Sequence, residues 1–135
     1  MNSDTMRTIS NAKALGVRRL QIEWSDGTVA ELTVPQGKGE VELGDWGHSL
    51  IWSDGFELGA DGLWLETLDA IGRGDARRFL KWRLANGLSL SKAADALGLA
   101  RRTVAYYSNG DRAVPKTVLL ACKGWEAGQP KRKAV

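Results

Sequence analysis

Two adjacent arginines, Arg101 and Arg102, open the short run Arg101-Arg-Thr-Val-Ala-Tyr-Tyr-Ser-Asn-Gly110, and they are the side chains of this sequence best suited to specific chemistry. That chemistry is recognition. A guanidinium presents a planar fork of donors that can bond bidentately to the O6 and N7 acceptors of guanine, or to phosphate oxygens. Catalysis has a far weaker claim. The lone histidine, His48, lies beside Asp45 in Leu43-Gly-Asp-Trp-Gly-His48, with no nucleophile or metal-ligand spacing around it. A loop histidine ahead of a strand is ordinarily structural or solvated, so neither a catalytic residue nor a metal nor a cofactor is expected, and the chain is read as no enzyme. The single cysteine, Cys122, cannot form an intramolecular disulfide.

The arginines need elements to hold them. Asp75 can cap a helix carrying Ala76, Phe79, Leu80 and Leu84 on one stripe, ended by Asn86-Gly87. Ser89 then caps a second helix to about Leu97, and Gly98 follows as a left-handed stop. A third helix runs from about Arg101 to Ser108, closed by Gly110. Val114-Pro115 opens a fourth with Val118, Leu119, Cys122 and Trp125 as its apolar stripe. Within the third helix, Thr103, Val104 and Tyr107 are the anchors. Arg101, Arg102, Ala105 and Tyr106 occupy much of the remainder.

Charge divides the chain sharply. Its net charge is +3, but residues 1–72 hold five basic and twelve acidic side chains, while residues 73–135 hold fourteen basic and four acidic. The break coincides with Ile71-Gly-Arg-Gly-Asp75, a stretch of the kind that separates domains. Two domains are expected: an acidic one over 1–72 and a basic one over 73–135. No run approaches the roughly 18 apolar residues of a membrane helix, and the polar N-terminus lacks the apolar core of a secretory signal. A cytoplasmic protein without membrane association is the expectation.

In the acidic half, Trp-Ser-Asp-Gly occurs at Trp24 and again at Trp52, each between alternating apolar residues. Such runs predict two hairpins. Side chains on one face recur every second residue, so loop length follows from parity. A two-residue Asp26-Gly27 loop would set Ile22 against Glu31 and mix the faces. A three-residue loop, Ser25-Asp26-Gly27, pairs Trp24 with Thr28, Ile22 with Ala30 and Leu20 with Leu32, and places Gly27 at the left-handed position of a bulged turn. The second copy likewise sets Trp52 against Phe56 and Leu50 against Leu58. Asp61 can cap a helix around Leu63, Trp64, Leu65, Leu68 and Ile71 that covers the shared face. Trp24, Trp46, Trp52 and Trp64 are read as core rather than a ligand pocket, and the acidic side chains as a solvated face. The fold class is α+β: a small sheet of two hairpins with a covering helix, then an all-α domain.

Two resemblances follow from these stretches. The region from Ile9 to about Leu68, with Leu20-Gln-Ile-Glu-Trp-Ser-Asp-Gly-Thr, Ser49-Leu-Ile-Trp-Ser-Asp-Gly-Phe-Glu-Leu and Leu63-Trp-Leu-Glu, resembles a bacterial domain of unknown function found alone or ahead of a helix-turn-helix. That likeness implies a fold and no established activity. Residues 75 to about 126 resemble the phage-repressor-like (Xre-type, lambda-repressor-like) helix-turn-helix, through Gly87-Leu-Ser, Ala94, Leu97-Gly-Leu, Thr103-Val and Asn109-Gly. Two positions depart from it. Leu90 stands where that family usually carries a glutamine. Ala100 replaces the usual Ser or Thr cap, which costs on the order of 1 kcal/mol of helix stability.

The second resemblance implies a sequence-specific DNA-binding protein, a bacterial transcriptional regulator that binds double-stranded DNA as a homodimer. Arg101 and Arg102 are its specificity candidates, with base and phosphate contact both open. Ser91, Lys92, Asn109, Arg112 and Lys116 are placed for backbone contacts, and Ala105 and Tyr106 line the same helix. Tyr106 either meets DNA or covers core. The Lys131-Arg-Lys133 tail is an electrostatic aid or a solvated terminus. The acidic domain would supply dimerisation, a small-effector site or a surface for a partner protein. The competing reading is an antitoxin-like interaction module.

Overall fold

The computed structural model of the chain describes residues 7–130, so the Lys131-Arg-Lys133 tail lies outside the described residues. The chain divides into two compact units at Arg73 and Gly74.

The first unit contains two antiparallel three-stranded sheets, β1 (Ile9–Gly16), β2 (Arg19–Trp24) and β3 (Val29–Thr33), then β4 (Val41–Gly44), β5 (Ser49–Trp52) and β6 (Glu57–Gly59), followed by helix α1 (Ala60–Ala70). The β2–β3 register sets Leu20 against Leu32 and Ile22 against Ala30. Trp24 N donates to Thr28 O at 2.8 Å, Gly27 N donates to Trp24 O at 2.9 Å, and Gly27 has φ 92°. This is the three-residue loop that parity requires. In the second copy Leu50 faces Leu58, Trp52 N donates to Phe56 O at 2.8 Å, and Gly55 has φ 93°.

Each hairpin also gains a strand beyond the expected pair. β1 is hydrogen-bonded to β2, and β4 to β5. These edge strands bury little: in β1 only Ile9 is fully buried. Without a covered face they lack an alternating apolar pattern, and their backbone partners rather than their side chains define them.

The core of this unit is aromatic. Trp24 and Trp64 meet edge to face at 5.0 Å, and both are 1% exposed. Buried Thr67 accepts from Trp24 Nε1 at 3.0 Å and donates to Leu63 O at 2.9 Å, so the indole N–H is satisfied where no water reaches it. Helix α1 packs on β3 and β6 through Leu63, Trp64 and Leu68.

Three expectations here are corrected. The cap of α1 is Gly59, with Asp61 inside the first turn. Ile71 is the C-cap of the helix rather than part of its buried stripe and is 43% exposed where the chain turns away at Gly72 (φ 78°). Trp46 is 95% exposed rather than core. It sits in a turn, Asp45–Gly47, where Asp45, Trp46 and Gly47 all take positive φ and the strand alternation is broken. His48 closes that turn with its N–H on Asp45 O and accepts from Ala60 N through its own carbonyl.

The second unit is helical: α2 (Gly74–Ala85), α3 (Leu90–Leu97), α4 (Arg101–Asn109) and α5 (Lys116–Ala127). Its core joins Phe79, Trp82, Leu90, Ala93, Ala94, Val104 and Cys122 among others. Phe79 meets the Tyr107 ring edge to face at 5.4 Å, and Trp82 meets Trp125 in the same manner at 5.5 Å. Asp75 lies within the first turn of α2 instead of capping it, and its carboxylate accepts from Val114 N at 2.7 Å. Pro115 is the cap of α5, one residue outside the helix, since its extended ψ of 149° cannot belong to the first turn. Among the described residues, no helix is long and apolar enough to cross a membrane.

Cys122 is buried here, and burial pushes its thiol up to about 11; a backbone hydrogen bond opposes the rise and the Glu126 carboxylate adds to it. The native chain therefore keeps a proton that the unfolded chain releases above about pH 9, and stability contributed by the neutral thiol falls as pH rises from there toward 11. Alkylation by iodoacetamide, which needs the thiolate, should still accelerate across that window in the native protein. A rate already level at its lower edge would contradict this environment.

Candidate nucleic-acid interface

The α3–α4 segment is built by local rules. Ser89 caps α3 by accepting from Lys92 N at 3.1 Å. Gly98 takes φ 69°, and Leu99 N donates back to Ala94 O at 2.9 Å, which turns the chain sharply into α4. Ala93 and Ala94 are both buried, so α3 presents small side chains where it packs against α4. Ala100 caps α4 without a side-chain bond, and Gly110 ends it at φ 76°.

Helical periodicity then sorts the α4 side chains. Val104, Tyr107 and Ser108 are buried, Thr103 is half-buried, and Arg101 and Arg102 are exposed. Arg102, Tyr106 and Asn109 recur three and four residues apart on the side away from the buried stripe, with Arg101 on its flank, while Ala105 packs partly against the core. Ala105, Tyr106 and Asn109 are half-buried; Ser91, Lys92, Arg112 and Lys116 are exposed. Ser91 and Lys92 lie in the first turn of α3, Arg112 just past α4, and Lys116 at the start of α5.

Two features escaped the residue-by-residue reading. The Arg112 guanidinium lies over the Tyr106 ring, 4.6 Å from its centroid, so the tyrosine face is covered by a cation. Arg83 is 4% exposed, donating through Nε to Ser108 Oγ at 3.2 Å and through Nη1 to Leu88 O at 3.0 Å. Ser108 in turn donates to Val104 O at 2.8 Å. One buried guanidinium thereby ties α2 and the loop before α3 to α4. Its position four residues after Phe79, on the apolar stripe of α2, was the available signal. Leu90, where the resemblance to the phage-repressor-like pattern implied a glutamine, is 3% exposed and belongs to the core.

The fold defines a chain of two units, a double antiparallel sheet with its helix followed by four short helices. A chain similar to it throughout is the crystal structure of "Putative DNA Binding Protein NE0471 from Nitrosomonas europaea ATCC 19718", at 32% identity and a TM-score of 0.65. The match covers 100% of this chain and 96% of that one, and this chain belongs to the family of that protein. No family model and no curated protein matches it.

Proposed function

We propose that this protein binds double-stranded DNA sequence-specifically through α4 and acts as a bacterial transcriptional regulator. The observation that carries this reading is the arrangement of α3 and α4, two short helices joined at the left-handed Gly98, with Arg101 and Arg102 exposed at the start of the second; we read it as a helix-turn-helix of the phage-repressor type. The name given to the Nitrosomonas europaea relative supports it. In such a motif the N-terminal residues of the second helix meet base edges in the major groove, and the flanking elements hold phosphates. Lys92, Arg112 and Lys116 supply cations on those flanking elements. Paired half-sites would be engaged by a homodimer, and no residue is assigned catalysis.

Selection of bound sequences from a random duplex pool tests the proposal. On the selected site, Arg101→Ala and Arg102→Ala should each cost about 1 to 3 kcal/mol, and much less on unrelated DNA, if each makes a bidentate base contact. Lys92→Ala should weaken both alike and flatten the salt dependence by about one unit, as the loss of one phosphate contact does. Equal losses on all sequences would make the arginines backbone clamps. Absence of any binding at low salt would end the DNA reading.

A further inference from the structure

We infer that the sheet unit carries a binding site for a small amphipathic anion, in two adjoining cavities that share Arg18. The larger, of about 670 Å³, is walled by Leu32, Val34, Pro35, Leu58 and Leu63. The smaller, of about 400 Å³, is lined by Arg18, Arg19 and Lys38, with the buried Trp52 ring in its wall. An apolar chamber opening beside a cationic one suits a ligand with an apolar body and an anionic head.

The charge placement is selective. Residues 1–72 contain only five basic side chains among twelve acidic ones, yet three of the five line the smaller cavity and no acidic residue does, the nearby Asp54 being taken up by the Lys38 backbone N–H at 2.9 Å. Arg7 is used elsewhere, bridged to Asp26 at 2.8 Å and lying over Trp64. Arg19 pairs with Glu31 across an exposed 3.3 Å contact, which a ligand could displace at little cost. Arg18 and Lys38 make no ion pair among the described residues. Glu66 lies in the wall of the larger cavity and disfavours a second negative group at that end.

Backbone geometry points to the same place. Arg18 takes φ 58°, a conformation costly for a side chain of its kind, in the turn that joins β1 to β2. Its carbonyl accepts from Val34 N at 2.8 Å, which holds the arginine between the two chambers. Gly37 packs on the Trp52 ring so closely that an added Cβ would stand 2.8 Å from it, leaving the floor of the cationic chamber flat. Gly62 faces open space in the wall of the larger chamber.

Gly62 supplies the test, because it lines the larger chamber and a Cβ added there meets nothing within 4 Å. The site goes beyond the DNA-binding reading and does not depend on it. Titration calorimetry of the full chain with octanoate, octyl phosphate, 1-octanol and octylammonium compares one apolar body under four head groups. Octanoate and octyl phosphate should bind about tenfold tighter than octanol or octylammonium, the margin of one charge-assisted contact. The tighter of the two anions identifies the natural head group. Gly62→Leu should weaken both anions at least about tenfold with an unchanged or raised melting temperature, since leucine is the better helix former. The double variant Arg18→Asn, Lys38→Gln should bring the anions down to the level of octanol; asparagine is chosen because it tolerates the left-handed backbone. Equal binding of all four probes, or binding indifferent to Gly62→Leu, would overturn the proposal. So would failure of every probe to bind, including the case where Gly62→Leu instead abolishes self-association and marks the groove as a contact between copies.

Discussion

Trp24→Ala will lower the stability of the sheet unit by about 3 to 5 kcal/mol, the usual cost of deleting a fully buried indole. Trp24 is 1% exposed and meets Trp64 at 5.0 Å, so truncation leaves a void against an aromatic ring in the middle of the core. It also removes the N–H that Thr67 accepts at 3.0 Å. Thr67 keeps its bond to Leu63 O, so the void rather than an orphaned hydroxyl dominates the loss. Urea unfolding followed by far-ultraviolet circular dichroism measures the effect. Trp24→Phe separates the two contributions: it retains most of the ring volume and forfeits the hydrogen bond, and should cost about 1 to 2 kcal/mol. A loss below about 1 kcal/mol for the alanine variant would mean that the site collapses freely, against the packing described here.

Arg83→Ala will destabilise the helical unit by about 2 to 4 kcal/mol, since hydrogen bonds from a charged group contribute more than neutral ones and a buried acceptor loses its donor. The guanidinium is buried and spans three segments, with Ser108 Oγ at 3.2 Å and Leu88 O at 3.0 Å. Ser108 retains its bond to Val104 O. The Leu88 carbonyl, in the loop leading to the Ser89 cap, is the acceptor the variant deprives. Arg83→Lys should recover little, because a point-like ammonium cannot serve both partners as the planar fork does. The variant should also loosen the placement of α4, and amide exchange at Val104 and Ser108 should rise more than within α5. Uniform change across all four helices would show that Arg83 acts on global stability alone.

Much of the local architecture was legible in the residues. Side-chain parity alone selected the loop Ser25-Asp26-Gly27, and the observed pairing of Ile22 with Ala30 follows from it. The cap at Ser89 and the left-handed stops at Gly98 and Gly110 stand where their residue types indicate. On the candidate interface, the period of α4 separated buried Val104 and Tyr107 from exposed Arg101 and Arg102. All of these depend on neighbours within a few positions along the chain, where residue type dictates backbone geometry.

The rest depended on partners far away in sequence, which only the tertiary structure decides. Strands β1 and β4 exist because a neighbouring strand offers its backbone, and their own side chains, mostly solvated, carry no pattern to announce it. Asp75 serves Val114 N, 39 residues on, instead of its own helix. Trp24 reaches Thr67 across 43 residues. Trp46 shares its residue type with the buried Trp24 and yet is exposed, because three successive positive φ angles turn its segment out of the strand. Arg83 is drawn inward although its charge argues for solvent, since Leu88 and Ser108 together supply acceptors that water would otherwise provide. A charge or an indole carries no single address: its place is set by which polar or apolar partners the finished fold brings within reach.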